Sequence, residues 1–305
     1  MIWEKKGLVF NSHNFSDWAV DGAMIPTPIF YSGGIIRVFL TFLDKYGLGR
    51  TGFVDLDRRN LNNVLRVSQK PIFDIGKPGT FDENGCLTCS VVRVSDEEYY
   101  FYYAGFELGQ KIRYRLLSGL AITNNNFELK KKFNTPVLER NRAELHFRGG
   151  PFCIKDYGIF KMWYVAGSEW VIIDGKSMPR YVIKYIESSD GINWVGEGKV
   201  CIDIQSDKEH GFGRPYVIKD NEVYKMYYSI RVRRKGYRLG YAESKDGKEW
   251  IRMDSEIGLD VSKSGWDSEM ICYSAIIKDE GKVYMFYNGN QFGKSGFGYA
   301  ELVAR

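Results

Sequence analysis

The feature that most constrains this chain is an internal repeat. Each copy opens with a small residue or a proline ahead of an apolar strand, then turns into a strand crowded with aromatic residues. The second residues of the five copies lie at positions 28, 90, 151, 215 and 274, so the steps are 62, 61, 64 and 59 residues. Copies of such even length predict one structural unit repeated five times.

The five copies share a third strand and, in the later copies, a turn that ends in tryptophan. The openings are Thr27-Pro28-Ile29-Phe30, Cys89-Ser90-Val91-Val92, Gly150-Pro151-Phe152-Cys153, Arg214-Pro215-Tyr216-Val217 and Tyr273-Ser274-Ala275-Ile276. The turns run from Ser188 to Trp194 and from Ser244 to Trp250, and each contains an Asp-Gly pair of the kind that closes tight hairpins. A fourth strand then starts at the tryptophan, so each copy predicts four antiparallel strands, which is a β-propeller blade.

The two ends of the chain complete this pattern. The fifth copy stops after its third strand, at Glu301-Leu302-Val303, whereas the segment from Trp3 to Phe10 resembles the fourth strand from Trp194 to Cys201. The sequence therefore predicts an all-β fold, a five-bladed β-propeller with four antiparallel strands per blade. Its N-terminal strand closes the last blade and leaves no exposed sheet edge. We expect residues 1–305 to form a single domain.

Composition and charge exclude several classes of function. The chain has 43 Lys and Arg against 38 Asp and Glu, a net charge of +5, which is too mild to favour a nucleic-acid partner in the absence of a basic block. No apolar stretch is long enough to span a membrane, and the start lacks a signal-peptide core. The five cysteines lie in apolar runs and predict reduced thiols in a cytoplasmic protein. Cys86 and Cys89 lack a second ligand pair, so no metal and no cofactor are predicted.

An acid recurs at one offset before the first strand of each copy. Six residues upstream of the openings lie Asp21, Glu83, Glu144, Lys208 and Asp267, with Asp82 beside Glu83 and Glu209 beside Lys208. Because the loops that enter the first strands share one mouth of a propeller, we expect these acids to meet there. Carboxylates that lie close together shift their pKa values apart, so that one can act as an acid while another stays ionised. Glycosyl chemistry needs one carboxyl group of each kind. The predicted catalytic set is Asp21, Asp82, Glu144, Glu209 and Asp267. The alternative is that they cap turns or pair with arginine.

The same loops carry basic and aromatic residues that suit sugar or phosphate binding. Arginine binds phosphate through two parallel hydrogen bonds, and aromatic rings stack on sugars. The alternatives are that the arginines neutralise the acids and that the aromatic residues belong to the core. No separation of acid from base within the carboxylate set is possible from sequence. The predicted substrate contacts are Glu83, His146, Arg148, His210, Arg214, Trp266, Glu269 and Tyr273.

A propeller with loops of this kind resembles the arabinanase, levansucrase and invertase superfamily, which includes glycoside hydrolase families 43, 32 and 130. The likeness covers the whole chain at the level of blades, and the Ser-x-Asp-Gly-x-x-Trp turns are frequent in that superfamily. Three segments also resemble a bacterial glycosidase-like subgroup associated with surface-polysaccharide biosynthesis. They are residues 79–85, residues 265–270 and Tyr287-Asn288-Gly289-Asn290.

The chain departs from the hydrolase pattern at the residues that perform hydrolysis. Family 43 hydrolases carry a base, Asp, directly before the proline of the first-blade strand, where this chain has Thr27; the second carboxylate position matches Gly150 or Cys89. Relatives of the phosphorylase type hold phosphate with arginine and histidine. The resemblance therefore implies a carbohydrate-active enzyme that makes or breaks a glycosidic bond on a carbohydrate or activated-sugar substrate. The alternatives are a phosphorylase or glycosyltransferase and a non-catalytic glycan-binding propeller. The oligomeric state is left open.

Overall fold

A computed structural model describes residues 1–304, which form an all-β structure with almost no helix. The N-terminal strand is β1 (Ile2–Phe10). It is followed by a four-stranded antiparallel sheet in the order β2 (Asp21–Ser32), β3 (Ile35–Leu43), β4 (Gly49–Asp57) and β5 (Asn60–Val67). The helical pieces in the described range are two short turns at Asp254–Glu256 and Asn290–Gly293.

The middle of the chain forms a sheet made of two successive four-stranded groups. The first group is β6 (Cys86–Ser95), β7 (Glu98–Leu108), β8 (Tyr114–Asn124) and β9 (Leu129–Lys132). The second group is β10 (Phe147–Asp156), β11 (Ile159–Ile173), β12 (Lys176–Ser188) and β13 (Lys199–Ile202). Each group is antiparallel, and a short parallel pairing of Phe147 and Arg148 with β8 joins them.

The remaining strands form two further four-stranded sheets. One has the order β14 (Glu209–Asp220), β15 (Val223–Val232), β16 (Tyr237–Ser244) and β17 (Ile251–Arg252). The other contains β18 (Cys272–Asp279), β19 (Lys282–Asn288) and β20 (Phe297–Ala304), and its fourth strand is β1. The predicted pairing of the N-terminal strand with the last strand is confirmed: Glu4 lies opposite Glu301 in an antiparallel ladder.

The Asp-Gly turns join one sheet to the next. Ser188 Oγ accepts a hydrogen bond from the Gly191 N–H, which shapes the turn, and the Gly191 carbonyl accepts one from Tyr102 in the preceding group, at 2.7 Å. The second turn repeats this arrangement, since Trp163 Nε1 donates to the Gly247 carbonyl at 2.9 Å. The aromatic residues of the second strands thus pack between sheets and fasten them to one another, which explains why the turn and the aromatic strand recur together.

The strand register shows that the first copy of the repeat begins two residues earlier than the sequence predicts. Each first strand carries a bulge against its second strand, and the bulged residues begin at Ile25, Cys89, Gly150, Arg214 and Tyr273. The first opening is therefore Ile25-Pro26 and not Thr27-Pro28. A shift of two residues leaves the inside-outside alternation of a strand unchanged, so the apolar pattern cannot detect it.

Other expectations about the chain concern its surface and thiols. All five cysteines are free, and burial raises the pKa of the Cys89 thiol to about 12. No helix in residues 1–304 combines the length and the apolar character needed to span a membrane.

The closure of the last sheet generates a stability prediction. Trp3 is buried, and its Nε1 donates to the Ile257 carbonyl at 2.8 Å. We expect Trp3→Ala to lower the free energy of unfolding by about 3–5 kcal/mol, the usual cost of truncating a buried large aromatic residue. Ile2→Ala, in the same strand but at a side chain that is 60% exposed, is the matched control. Urea denaturation measures both, and equal losses would show that β1 does not close the sheet through Trp3.

Candidate functional site

The first strands of the five sheet units surround one buried guanidinium group. β2, β6, β10, β14 and β18 contact one another in a closed order, so their bulges face a common axis. Arg214 lies on this axis. Its Nη1 donates to the Cys89 carbonyl at 3.1 Å, and its Nη2 donates to the carbonyls of Pro26 and Tyr273, each at 3.0 Å. Arg214 therefore ties its own strand to β2, β6 and β18.

The backbone conformation of the bulges directs their carbonyl groups towards Arg214. Ile25 and Tyr273 adopt left-handed backbone conformations, with φ of 56° and 54°, and the equivalent Gly150 has φ of 59°. Such values are rare for residues other than glycine and are strained for a β-branched side chain such as isoleucine. Burial lowers the pKa of Arg214 to about 10, yet the group stays charged at neutral pH. Arg214 was predicted to contact substrate, but both of its Nη atoms donate hydrogen bonds to backbone carbonyls.

A cavity of about 90 Å³ includes Arg214 in its wall, and a second cavity of about 340 Å³ shares three of its lining residues. The shared residues are Tyr114, Arg231 and Tyr237. The larger cavity lies among the loops that connect second to third strands and the segments that enter the first strands. Its basic lining residues are Arg113, His210, Arg231 and Lys235. Among residues 1–304, no carboxylate side chain lines either cavity.

Arg231 and two tyrosines form the centre of this site. Arg231 Nε donates to the Tyr237 hydroxyl at 2.8 Å, and the Tyr237 hydroxyl lies 3.3 Å from that of Tyr181. The guanidinium carbon of Arg231 lies 5.4 Å from the ring centres of both tyrosines. Nη1 of Arg231 is buried and has no hydrogen-bond partner within residues 1–304. Arg231 thus lines both cavities and carries a buried donor that the described residues leave unsatisfied.

Two of the predicted substrate contacts lie at this site. His210 lines the larger cavity, and burial together with the nearby Arg231 charge lowers the pKa of its imidazole, so it is neutral at pH 7. Tyr273 lines the smaller cavity and packs against Tyr237 with ring centres 5.8 Å apart. These two residues and Arg214 are the predicted contacts that the structure brings together.

None of the five predicted catalytic carboxylates lines either cavity. Three of them each bind a tyrosine of the second strand and a basic side chain within their own sheet unit. Asp82 accepts from Tyr103 at 2.8 Å and pairs with Lys132. Asp267 accepts from Tyr287 at 3.0 Å and pairs with Lys5 at 2.7 Å.

Glu144 follows the same plan with an additional arginine. It accepts from Tyr164 at 3.0 Å, pairs with Lys184 at 2.7 Å and forms an ion pair with Arg148. Burial, and then the Glu144 charge, raise the pKa of the Tyr164 phenol well above its usual value. Arg148 donates its remaining hydrogen bonds to the Glu139 and Gly196 carbonyls, so this predicted substrate contact is also committed to the fold.

Glu209 is held differently, by arginine on both carboxylate oxygens. Burial alone would raise the pKa of Glu209, but the Arg252 guanidinium and the Gln205 N–H lower it below its usual value. Asp254, not Glu209, accepts from the second-strand tyrosine of this unit, Tyr228. Arg252 in turn bridges Glu209 and Asp254, so the carboxylates and the guanidinium form one network.

Asp21 has none of these partners. Counted from the corrected opening at Ile25, Asp21 lies four residues upstream, whereas Glu144 and Asp267 each lie six residues upstream of theirs. The second strand of its unit also has Leu40 where the others have tyrosine. Its carboxylate is 37% exposed and lies 3.8 Å from Lys294.

The other predicted contacts are not lining residues of either cavity. Glu83 accepts from the Gly79 N–H, Trp266 stacks on Tyr287, and Glu269 is exposed next to Met270, which lines the larger cavity. His146 is half-buried beside β8, where burial and the Arg115 and Arg140 charges lower its pKa.

Sequence reasoning missed Arg231, Tyr237 and Tyr181. A signal for the first two was present, since residues 231–238 contain five basic residues in eight and follow directly from the aromatic strand of the fourth unit. The expectation that the chain has no basic block was therefore wrong at this segment. Tyr181 had no distinguishing signal among 21 tyrosines.

Comparisons with known proteins place the chain in a family. No family model matches it. The uncharacterized protein Rv1502 of Mycobacterium tuberculosis (strain ATCC 25618 / H37Rv) is 31% identical over 302 residues, which cover 99% of both chains. The chain belongs to the family of Rv1502. The uncharacterized protein MT1551 of M. tuberculosis (strain CDC 1551 / Oshkosh) is 30% identical over 302 residues, again with 99% of both chains covered.

Solved structures share the fold at low sequence identity. A glycoside hydrolase superposes with a TM-score of 0.78 and 18% identity over 99% of this chain and 93% of its own. A thermostable family-43 glycoside hydrolase gives 0.70 and 17%, with 92% of this chain and 88% of its own covered. The β-1,2-mannobiose phosphorylase from Listeria innocua gives 0.71 and 11%, covering 99% and 96%. The family of Rv1502 thus has the fold of the propeller glycoside hydrolases, including families 43 and 130.

The buried acids generate a second stability prediction. Glu144→Gln removes the charge that compensates Arg148 and Lys184, so we expect the free energy of unfolding to fall by about 3–5 kcal/mol. Glu139→Gln, at a carboxylate that is 56% exposed, is the control and should change it by no more than about 0.5 kcal/mol. Chemical denaturation at pH 7 measures both. A stable Glu144→Gln protein that has lost its activity would instead assign this acid to catalysis.

Proposed function

We propose that this protein is a carbohydrate-active enzyme of the glycosidase-like propeller type that acts on a sugar bearing a phosphate or linked to a nucleotide. The substrate lies in the two cavities around Arg231 and Tyr237. The reaction is phosphorolysis or transfer of a glycosyl group, with the anionic group held by the basic lining residues. The sugar itself lies against the tyrosines.

The observation that carries this proposal is uncompensated positive charge. Arg214 and Arg231 both line the smaller cavity, and no carboxylate lines it with them. A buried guanidinium without a counter-charge is unfavourable, and a bound anion relieves that cost. Arg231 Nη1 has no partner in the described residues, so it is free to donate to a phosphate oxygen, the acceptor that arginine suits best.

The aromatic lining supports a sugar as the rest of the ligand. Tyr114, Tyr237 and Phe292 line the larger cavity, whose volume of about 340 Å³ suits a small molecule. Arg113 lies 5.8 Å from the ring centre of Tyr114 and extends the basic surface to the rim. Aromatic faces beside cationic donors therefore match a ligand with one anionic and one carbohydrate part.

Ordinary hydrolysis by two carboxylates fits this cavity less well. The five acids predicted as catalytic have no part in the proposal, because four are engaged in ion pairs away from the cavity and Asp21 lies apart from them. The corrected register puts Ile25 before the proline of the first strand, where family 43 hydrolases carry a base. The likeness to a mannobiose phosphorylase makes inorganic phosphate the first co-substrate to test.

The proposal extends to the architecture and the setting. We take the five four-stranded units as five blades of one propeller domain over residues 1–305, with the cavities at one mouth of its central channel. From the resemblance of the loop motifs, the proposed setting is bacterial surface-polysaccharide metabolism in the cytoplasm.

A second candidate is a non-catalytic glycan-binding propeller. The specific observation in its favour is that Asp82, Glu144 and Asp267 are each neutralised by a lysine. It differs from the first proposal in its outcome, since it predicts ligand binding without turnover.

Ligand binding tests the proposal. We expect mannose 1-phosphate, glucose 1-phosphate or UDP-glucose to raise the melting temperature in phosphate-free buffer, because a ligand at a hundred times its Kd adds about 2.7 kcal/mol. Arg231→Gln should weaken binding roughly 10–100-fold, the effect of losing one hydrogen bond to a charged group. Arg234→Gln is the control, since Arg234 lies in the same basic segment and is 81% exposed.

Two further measurements complete this test. Arg231→Lys keeps the charge and guards against a folding defect in the glutamine variant. Release of a sugar phosphate from β-1,2-mannobiose or longer oligosaccharides in the presence of phosphate, followed by ³¹P NMR, separates the enzyme from the binding module. Stabilisation by neutral oligosaccharides alone, unchanged by Arg231→Gln, would overturn the proposal.

A further inference from the structure

A reaction in these cavities needs a proton donor for the leaving oxygen, and no carboxylic acid lines them. Two hydroxyls line both cavities, those of Tyr114 and Tyr237. They differ in their partners. Tyr237 Oη accepts a hydrogen bond from Arg231 Nε at 2.8 Å, whereas Tyr114 packs its ring on Phe147 and Trp170. A guanidinium that donates to a phenol oxygen stabilises the phenolate left after proton transfer.

The surroundings hold the Tyr237 ring in one place. Tyr273 and Phe292 pack on it with ring centres 5.8 Å and 5.6 Å away, and Arg238 Nη1 donates to its backbone carbonyl at 2.9 Å. The side chain is only 4% exposed. A buried hydroxyl with a fixed orientation is preorganised for proton transfer in a way that an exposed acid is not.

The geometry points to Tyr237 as the general acid of the reaction, an inference that rests on the proposed function. The glycosidic C–O bond breaks with its electron pair on the leaving oxygen, and that oxygen takes the Tyr237 Oη proton. A hydrogen phosphate oxygen supplies the electron pair for the new bond to the anomeric carbon. The proton of the hydrogen phosphate then restores the phenol, so the products are a sugar phosphate dianion and an alcohol.

Tyr181 is a positioning residue in this scheme. Its hydroxyl lies 3.3 Å from Tyr237 Oη, so it helps to set the direction in which the Tyr237 proton points. Its ring is buried, and its pKa is raised well above the usual value by burial, so it stays protonated throughout.

The experiment compares leaving groups. Tyr237→Phe, Tyr181→Phe and wild type are assayed with phosphate on two kinds of probe: oligosaccharides with alcohol leaving groups, and the 4-nitrophenyl glycosides of mannose, glucose and galactose. We expect Tyr237→Phe to lose about 10²–10⁴-fold in kcat/KM on oligosaccharides, and little on nitrophenyl glycosides, whose leaving group needs no proton. Tyr181→Phe should lose less, and its loss should likewise be confined to the substrates with alcohol leaving groups.

Glu269→Gln is the competing variant, because Glu269 is the acid next to a lining residue. If Glu269→Gln loses activity only on substrates with alcohol leaving groups and Tyr237→Phe loses none, the role of Tyr237 is overturned. The proposed function is not affected by that result. Sugar phosphates should still raise the melting temperature of Tyr237→Phe, because the ring and the Arg231 guanidinium are kept, which separates proton transfer from binding. Absence of sugar phosphate binding and of turnover in the wild type overturns the proposed function and this inference together.

Discussion

The Arg214 guanidinium is the constraint on which the rest of the structure depends. Because the first strands meet around an axis, the carbonyl groups of their bulges point into one narrow space. That space is too narrow for bulk water and too polar for an apolar side chain. One planar cation with several donors satisfies carbonyls from three other strands at once. The strained backbone at Ile25 and Tyr273 follows from the same requirement, since their bulges deliver those carbonyls. A lysine would offer a point charge in place of a fork and could not reach the same acceptors.

The acids that recur along the sequence serve each unit separately. A loop that enters a first strand must be fixed to the strands outside it, and a buried carboxylate between a tyrosine and a lysine does this without free polar groups. Asp82, Glu144 and Asp267 repeat that arrangement with different basic partners, from the fourth, third and fourth strands of their units. Recurrence at a similar offset is therefore evidence of a repeated fold requirement and not by itself of a catalytic site. The four units with a second-strand tyrosine keep an acid that binds it, and the unit with Leu40 does not.

The sequence was most informative about what repeats and least informative about what does not. The aromatic strands, the Asp-Gly turns and the pairing of β1 with β20 followed from periodicity, because each depends on local residues that recur in two or more copies. The two-residue error at Thr27 arose because Pro26 and Pro28 share a strand face, and only hydrogen-bond register separates them. Of the predicted contacts, His210 and Tyr273 lie at the cavities, whereas Arg148 and Trp266 pack within their own units. Tyr237 and Arg231 belong to a single unit and do not follow the repeat. A comparison of equivalent positions in the five copies therefore does not identify them.

Charge placement relates the fold to its chemistry. With the carboxylates of the repeats neutralised inside the sheets, the larger cavity keeps arginine and lysine without acids to balance them. A site of this kind repels cations and stabilises anions, and its buried walls strengthen that preference beyond what the modest net charge of +5 suggests. Under the proposed function, a propeller whose repeated acids are bound within the sheets selects anionic sugars through this charge. In the inferred reaction Tyr237 is the group that donates the proton, and the hydrogen bond from Arg231 Nε holds its hydroxyl beside a positive charge.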